Sequence, residues 1–345
     1  MHDSWRVDLL DRLDNTKCEL PRLASGQLSW KSDQAVPGSG SITWTRDPGV
    51  DIDWLNDRLR VTHIGDDGET PMGVWLPSMP GWDVDGPVTR APISLSDKVE
   101  LLNWPIGAWL TLPKGTLVTA KVAEIVRARG GGATQSTDST EALTKAMTWE
   151  PTATWLTVVN DLLTAITYLP LTADMAGRLV VAPYVAPDKR IPVATYGGAD
   201  DELRLKPQWS DRSELFAMPT GVRLYVSRGG TTKGFIGSAD LPDSHPLSAA
   251  NRGGIPRLLT ESSDATTRAK AAAAAQRRLD ELMQLTRTIT VKHPVDAVQV
   301  GDLITHGPLG INATVVDRNV TLGTGAVVED SVQHTSTGGE LPWPT

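Results

Sequence analysis

The sequence has little of what catalytic and metal-binding sites are usually built from. Cys18 is its only cysteine, which excludes an internal disulfide and any thiolate cluster for zinc or iron–sulfur. The six histidines show no metal-ligand spacing, and the His-Glu-x-x-His pattern is absent. We therefore expect no cofactor and no metal site, and we expect Cys18 to be a half-buried apolar residue of a protein made in a reducing cytoplasm.

Positive charge and long apolar runs are also scarce. The 345 residues carry 33 Lys and Arg against 41 Asp and Glu, a formal net charge of -8. Nucleic-acid binding needs clustered basic side chains, so DNA and RNA are unexpected partners. No window approaches the ~18 uninterrupted apolar residues of a membrane helix, and the polar, acidic N-terminus differs from a signal peptide. We expect a soluble chain without an integral membrane segment.

Motifs for nucleophilic and phosphate chemistry are missing. Gly38-Ser39-Gly40 is not the Gly-x-Ser-x-Gly turn that exposes a nucleophilic serine, and it lies between two predicted strands. Gly130-Gly131-Gly132 lacks the Lys-Ser or Lys-Thr of a phosphate-binding loop. We predict a turn and a flexible loop at these two positions.

Acidic residues come close together at three places without forming a convincing site. The pairs Asp51 with Asp53 and Asp200 with Asp201 could in principle flank a glycosidic bond, but among so many carboxylates such pairs arise by chance. His63 with Asp66, Asp67 and Glu69 is the nearest approach to a metal cluster. Since Asp-Gly is a strong hairpin signal, we interpret this group as a solvated turn and predict no catalytic residue.

Short alternating runs between Gly, Pro and Asp dominate from about residue 18 to 126. Segments 26–30 and 40–44 place alternate residues on one face of a strand. Two further predicted strands, at 58–64 and 72–77, lie on either side of the Asp67-Gly68 turn. The pattern predicts an antiparallel sheet or barrel.

The middle of the chain changes character. Three glycines and small polar residues at 128–137 predict a flexible loop. Apolar residues then recur at helical spacing from Trp155 to Ile166, with Thr152 or Thr154 as the cap, and a strand follows at 178–184. We predict a compact α/β unit at about 150–210.

The last third returns to β structure. A hairpin is predicted from 220–227 and 232–237, turning at Arg228-Gly229-Gly230, followed by a surface loop at 238–262. An alanine-rich helix is predicted from Asp264 to about Leu285, capped by Ser263 or Asp264. Further strands are predicted at 288–291, 297–304, 313–316 and 319–322, with an unanchored tail from Gly338.

Two features have two interpretations each. The sequence has 12 tryptophans and 2 phenylalanines, and an exposed row of tryptophans could stack on sugars or dock a partner, although we expect most to be core. The small side chains of the alanine-rich helix suit either a close subunit contact or a solvated helix.

The order of these parts resembles minor tail proteins of phages that infect Actinobacteria. The resemblance is carried by Trp155 to Leu163, Tyr168, Pro170-Leu171, Asp174, Gly177 to Leu179 and Pro183-Tyr184, and later by the hairpin at 220–237, the helix from Arg268 to Leu285 and Gly301 to Ile304. Such proteins are similar to the hub family shared by long-tailed phage baseplates and the type VI secretion spike.

The resemblance implies an α+β protein with two β-barrel-like, tube-type domains and an intervening small α/β unit. On this division 1–127 is the first β domain, 128–149 a flexible loop, 150–211 the α/β unit, 212–330 the second β domain with one long helix, and 331–345 a tail. It implies a homotrimer whose six β domains form a ring.

The implied role is structural. The chain would be a virion protein at the distal tail tip, joining the tail tube or distal tail protein and the tape measure protein to tip or fibre proteins, and no catalytic residue carries over. Two other functions stay open from the sequence: a cell-wall hydrolase of the tail tip, and a carbohydrate-binding receptor module that uses the tryptophans.

Overall fold

The protein is mostly β with few helices. A computed structural model describes residues 4–66, 68–81, 83–85, 88–132, 134–137, 139–185, 189–197, 210–213, 218–226, 234–263, 268–283, 285–323 and 325–336. The strands are β1 Ser4–Leu10, β2 Thr16–Glu19, β3 Leu23–Lys31, β4 Gly38–Thr45, β5 Arg58–Gly65, β6 Gly68–Pro77, β7 Asp83–Asp85, β8 Val88–Asp97, β9 Leu110–Leu112, β10 Thr134–Ser136, β11 Met147–Trp149, β12 Thr172–Ala173, β13 Leu179–Val181, β14 Ala194–Tyr196, β15 Ser210–Ser213, β16 Gly221–Val226, β17 Phe235–Asp240, β18 Leu258–Ser262, β19 Leu285–His293, β20 Leu303–His306, β21 Ile311–Leu322 and β22 Val328–Ser336. The α-helices are α1 Val118–Ala128, α2 Trp155–Ala165 and α3 Arg268–Met283, and short 3₁₀ helices occupy Lys98–Leu102, Ala250–Arg252 and Gly307–Leu309.

The chain forms two compact units. The first comprises Met1–Gln208, Val291–Gly310 and Thr314–Ser331, and the second comprises Trp209–Thr290, Ile311–Ala313 and Val332–Thr345. The domain boundaries proposed from the sequence stay a prediction.

The main sheet of the first unit contains the predicted strands of the N-terminal third. Its strands pair in the order β22, β21, β3, β4, β8, β6, β5, β1, β2. Leu28 and Trp30 of β3 and Ile42 and Trp44 of β4 are buried on one face, as their alternation predicts. The antiparallel pairs of 26–30 with 40–44 and of 58–64 with 72–77 are confirmed.

A second core in the first unit is built around α1 and α2. Thr154 caps α2 by accepting a hydrogen bond from the Thr157 backbone N–H, and Val158, Val159 and Leu163 are buried on the predicted stripe. The predicted helix and its cap are therefore confirmed. This core draws on residues from Val99 to Val181, so it begins well before residue 150.

Helix α1 corrects the expectation of β structure up to residue 126. Val118, Val122, Ile125 and Val126 are buried at positions i, i+4, i+7 and i+8, which is a helical stripe. The β-branched residues of this segment are typical of a strand, but their helical spacing places them on one buried face of α1. The segment 128–149, expected to be a flexible loop, contains the short strands β10 and β11.

The second unit contains the predicted hairpin and long helix. β16 pairs with β17 in antiparallel register, while the turn at Arg228-Gly229-Gly230 and the cap residue Asp264 lie outside the described residues. The expected surface loop at 238–262 is only partly a loop, because β17 continues to Asp240 and β18 pairs in parallel with β16. The expected tail begins later than residue 331, because β22 continues to Ser336.

Helix α3 packs closely on this small sheet. Ala271, Ala275 and Leu279 are fully buried, and a Cβ atom added at Gly237 would overlap the backbone of Ala271 and Ala272. The small residues of the helix thus serve a close contact within one chain, which neither sequence interpretation anticipated. Gly237 is required here by the lack of space.

Replacing Gly237 by Val should destabilise the second unit by about 2–3 kcal/mol, because the new side chain must push α3 away from β17. Thermal unfolding followed by circular dichroism measures the effect. The exposed Ser238 on the same strand provides the control, since Ser238→Val meets no such obstacle. Equal melting temperatures for the two variants would contradict the packing argument.

Candidate interaction surface

A short two-stranded ribbon of the first unit directly follows the exposed Trp109. β9 pairs with β11 so that Leu110 lies opposite Trp149 and Thr111 lies opposite Thr148. Trp149 is buried, and its indole N–H donates to the Asp161 carboxylate of α2 at 2.7 Å. The inner face of the ribbon is therefore anchored to the second core, while Thr111 and Thr148 remain on the exposed face.

The loop that leads into this ribbon is held by backbone hydrogen bonds. The Ile106 N–H donates to the Ala153 carbonyl at 2.8 Å, and the Gly107 N–H donates to the Pro151 carbonyl at 3.0 Å. Trp104 and Trp109 flank these contacts and are 67% and 68% exposed. A backbone fixed at several points thus presents two large aromatic side chains to solvent.

The other described tryptophans support the core interpretation. Trp30, Trp44, Trp75 and Trp149 are buried, and Trp5, Trp54 and Trp155 are partly buried. The Arg129 guanidinium lies 4.1 Å from the Trp155 ring centre and covers it. Trp82, Trp209 and Trp343 lie outside the described residues. Trp104 and Trp109 are accordingly the exposed exceptions within the described part.

A buried network of polar side chains joins strands of the first unit. Tyr196 donates to Asp330 at 3.2 Å, and His293 Nε2 lies 3.0 Å from the same carboxylate. Arg318 pairs with both Asp330 and Asp296 and has no exposed side-chain surface. Burial raises the pKa of Tyr196, and the two carboxylates add to that effect.

The charge of Arg318 is retained inside this network. Burial by itself would lower the pKa of its guanidinium, but the carboxylates of Asp330 and Asp296 raise that pKa above its ordinary value. The network is therefore an internal ion cluster that ties β14, β19, β21 and β22 together.

A second internal ion cluster is centred on Asp14. This residue has a positive φ of 68° in the turn between β1 and β2, and its carboxylate accepts hydrogen bonds from Arg58 and Lys98. Arg58 also donates to the Gly130 carbonyl at 2.6 Å, and Lys98 donates to the Gly177 carbonyl at 2.7 Å. Burial lowers the pKa of Lys98, and Asp14 opposes that shift.

No protein-family model and no curated protein matches this chain. Solved structures do match it. The 43 kDa tail protein of prophage MuSo2 from Shewanella oneidensis is 14% identical, with a TM-score of 0.65 over 95% of this chain and 98% of that chain. A tail protein from Neisseria meningitidis is also 14% identical, with a TM-score of 0.64 over 96% of both chains.

The chain has the fold of phage tail proteins. A structure of a Francisella PdpA-VgrG complex is 9% identical, with a TM-score of 0.60 over 100% of this chain and 60% of that chain. The resemblance to the hub family shared by baseplates and the type VI spike is thus confirmed at the level of the fold.

Within this tail-protein fold, the candidate metal cluster of the sequence is accounted for by other contacts. His63 is buried with its ring 4.9 Å from that of Trp5, and Glu69 receives two hydrogen bonds from Arg6 at 2.6 and 2.7 Å. Asp67 lies outside the described residues. Among the residues that the structure describes, no group of three or more His, Cys, Asp or Glu side chains could hold a metal ion.

Another of the candidate residues, Asp53, serves local structure. Asp53 accepts from the Leu55 N–H and from Asn56 in its own turn, and the bond from Asn56 lowers its pKa. Asp200 and Asp201 lie outside the described residues. The turn predicted at Gly38-Ser39-Gly40 is wrong, because β4 begins at Gly38 and its Ser39 pairs with Ser29 and Ser96.

The glycine stretch after α1 fits closely against that helix, because a Cβ at Gly131 would overlap Val126.

Cys18 is exposed on β2, contrary to the expectation of partial burial, because that strand covers no core. Across the described ranges, no helix is long and apolar enough to cross a membrane.

Removing the Asp14 carboxylate, the centre of the second ion cluster, should lower the free energy of unfolding. Asp14→Ala leaves the buried cations of Arg58 and Lys98 without their carboxylate, for an expected loss of about 3–5 kcal/mol. Urea unfolding measures this loss. Glu69→Ala, which breaks an exposed ion pair with Arg6, is the matched control and should change stability little. A small effect of Asp14→Ala would show that the cluster is not required for stability.

The buried Asp97 makes stability depend on pH. Desolvation raises its pKa to about 6 from 3.8, while hydrogen bonds from the backbone of Val99 and Gly38 oppose that rise. Its native form binds a proton more tightly than the unfolded form, so its contribution to stability is present below pH 4 and is lost as pH rises through 6. From pH 4 to 7, Asp97→Asn should gain about 2 kcal/mol relative to the native chain. Unfolding free energies of both proteins across this range test the prediction, and parallel curves would contradict it.

Proposed function

We propose that this chain is a structural virion protein that forms the hub at the distal end of a phage tail. The observation that carries the proposal is the common fold with the prophage MuSo2 tail protein from Shewanella oneidensis and with a tail protein from Neisseria meningitidis, over at least 95% of this chain and at least 96% of each neighbour.

The hub would be a homotrimer. Each chain would contribute two tube-type β domains, assigned to 1–127 and 212–330, so that three chains present six similar units to a hexameric tail tube. The division of the chain into two compact units is consistent with this arrangement. A closed ring of this kind needs large self-complementary contacts between copies.

The partners would be other tail components. We propose the tail tube or distal tail protein on one side, tip or fibre proteins on the other, and contact with the tape measure protein. The Francisella neighbour is a PdpA-VgrG complex, so a protein of this fold takes part in an assembly there. The net charge of -8 suits a channel that does not bind passing DNA.

The role would be non-enzymatic. The neighbours are structural tail and baseplate proteins. A hydrolase needs carboxylates that converge on a substrate, whereas Asp53 and Asp57 accept hydrogen bonds from neighbouring backbone and side chains. The arrangement therefore favours assembly over turnover.

Light scattering on the purified chain should give three times 37.1 kDa, about 111 kDa, since the proposed ring is closed.

Immunogold labelling of virions with an antibody against the chain should mark the end of the tail that is distal to the capsid. Pre-immune serum is the control. Labelling along the tail shaft, or absence of the chain from purified virions, would contradict the hub position.

A further inference from the structure

We propose that the exposed face of the ribbon formed by β9 and β11 binds a neutral oligosaccharide, with Trp109 stacking on a pyranose ring. This inference goes beyond the hub function and would give the same protein a direct contact with glycan. It starts from a small group of side chains that the ribbon geometry brings together.

The binding face consists of four exposed residues, two on adjacent strands and two directly beside them. Thr111 is exposed next to the buried Leu112, and Trp109, which directly precedes β9, is 68% exposed. The Thr111 and Thr148 hydroxyls are 3.0 Å apart. Glu150 is exposed and directly follows Trp149, and Trp109 directly precedes Leu110, the residue that pairs with Trp149. One aromatic face, two hydroxyls and one carboxylate thus form a compact patch.

This patch is ordered before any ligand arrives. Trp149 anchors the strand beneath it through Asp161, and the Ala153 N–H donates to the Glu150 carbonyl at 3.0 Å. The Gly107 N–H bond to Pro151 holds the opposite strand end. A preorganised surface loses little conformational entropy on binding, which matters for a ligand that makes few contacts.

The chemistry of the patch selects the class of ligand. The flat indole face of Trp109 suits the C–H face of a pyranose, and the hydroxyls of Thr111 and Thr148 can exchange hydrogen bonds with sugar hydroxyls. The Glu150 carboxylate only accepts hydrogen bonds, so it suits a neutral polyol and repels uronate or phosphate groups. No charged residue occurs between Asn103 and Leu112, and the nearest lysines along the two strands, Lys114 and Lys145, lie beyond Leu112 and Met147 at the other end of the ribbon.

A protein partner fits this face less well. The centres of protein interfaces are depleted in charged residues, whereas here a carboxylate and a hydroxyl pair adjoin the aromatic ring. Mixed aromatic and hydrogen-bonding surfaces of this size match one or two sugar rings more closely than an apolar helix.

The full-length chain labelled with 5-fluorotryptophan tests the proposal by ¹⁹F NMR. Chitotriose and cellotriose are the neutral probes, and a trigalacturonate is the anionic comparison. The Trp109 signal, assigned by its loss in Trp109→Phe, should shift saturably with at least one neutral trisaccharide at millimolar concentration and not with the anionic one. Trp109→Ala lacks this signal, so its affinity is measured from the ¹H signals of the trisaccharide, and it should be at least tenfold weaker.

Trp104→Ala is the matched control, because Trp104 is equally exposed but belongs to the other end of the loop. It should bind the neutral probe as the native chain does, and circular dichroism should show that both variants stay folded. Glu150→Gln should reduce the preference for neutral over anionic probe. No saturable shift of the Trp109 signal with either neutral probe, or unchanged affinity in Trp109→Ala, would overturn the proposal while leaving the hub function untouched.

Discussion

Buried charge must find a partner of opposite sign, and this constraint determines which strands of the first unit meet. Arg318 lies at an inward position of β21, where a guanidinium has no access to water, and it is matched there by Asp296 and Asp330. Without both carboxylates the strand would carry an uncompensated charge in the core. The network therefore specifies one arrangement of β14, β19, β21 and β22 more sharply than apolar packing alone would.

The cluster around Asp14 applies the same constraint to a different set of elements. It joins the turn after β1 to β5 through Arg58 and to the end of β8 through Lys98. Both cations also donate to backbone carbonyls, at Gly130 and Gly177. The end of α1 and the turn before β13 are thereby tied to the main sheet. Polar contacts, and not only apolar contacts, thus connect the two cores of the first unit.

Local patterns in the sequence were sufficient for structure that depends on neighbours along the chain. The alternation around Trp30 and Trp44 predicted two strands, and the stripe from Trp155 to Ile166 predicted α2 with Thr152 or Thr154 as its cap, of which Thr154 is the one observed. Helix α1 was missed because its β-branched residues favour strands by composition, although their spacing is helical. The ion clusters could not be predicted, because Asp14 and Lys98 are far apart in the chain and neither lies in a recognisable motif.

The division between internal and external polar groups bears on how such a protein interacts with others. Carboxylates that looked available in the sequence, such as Asp53 and Glu69, are already engaged by Asn56 and Arg6. The exposed side chains at the ribbon are of another kind. They are the indole of Trp109, the hydroxyls of Thr111 and Thr148 and the carboxylate of Glu150, and backbone hydrogen bonds fix the segment that carries them. The residues that form the ion clusters are thus different from the exposed residues of the ribbon. A surface residue of the ribbon can therefore change without disturbing the ion clusters that hold the fold, which is the condition under which a conserved architecture can acquire a new ligand.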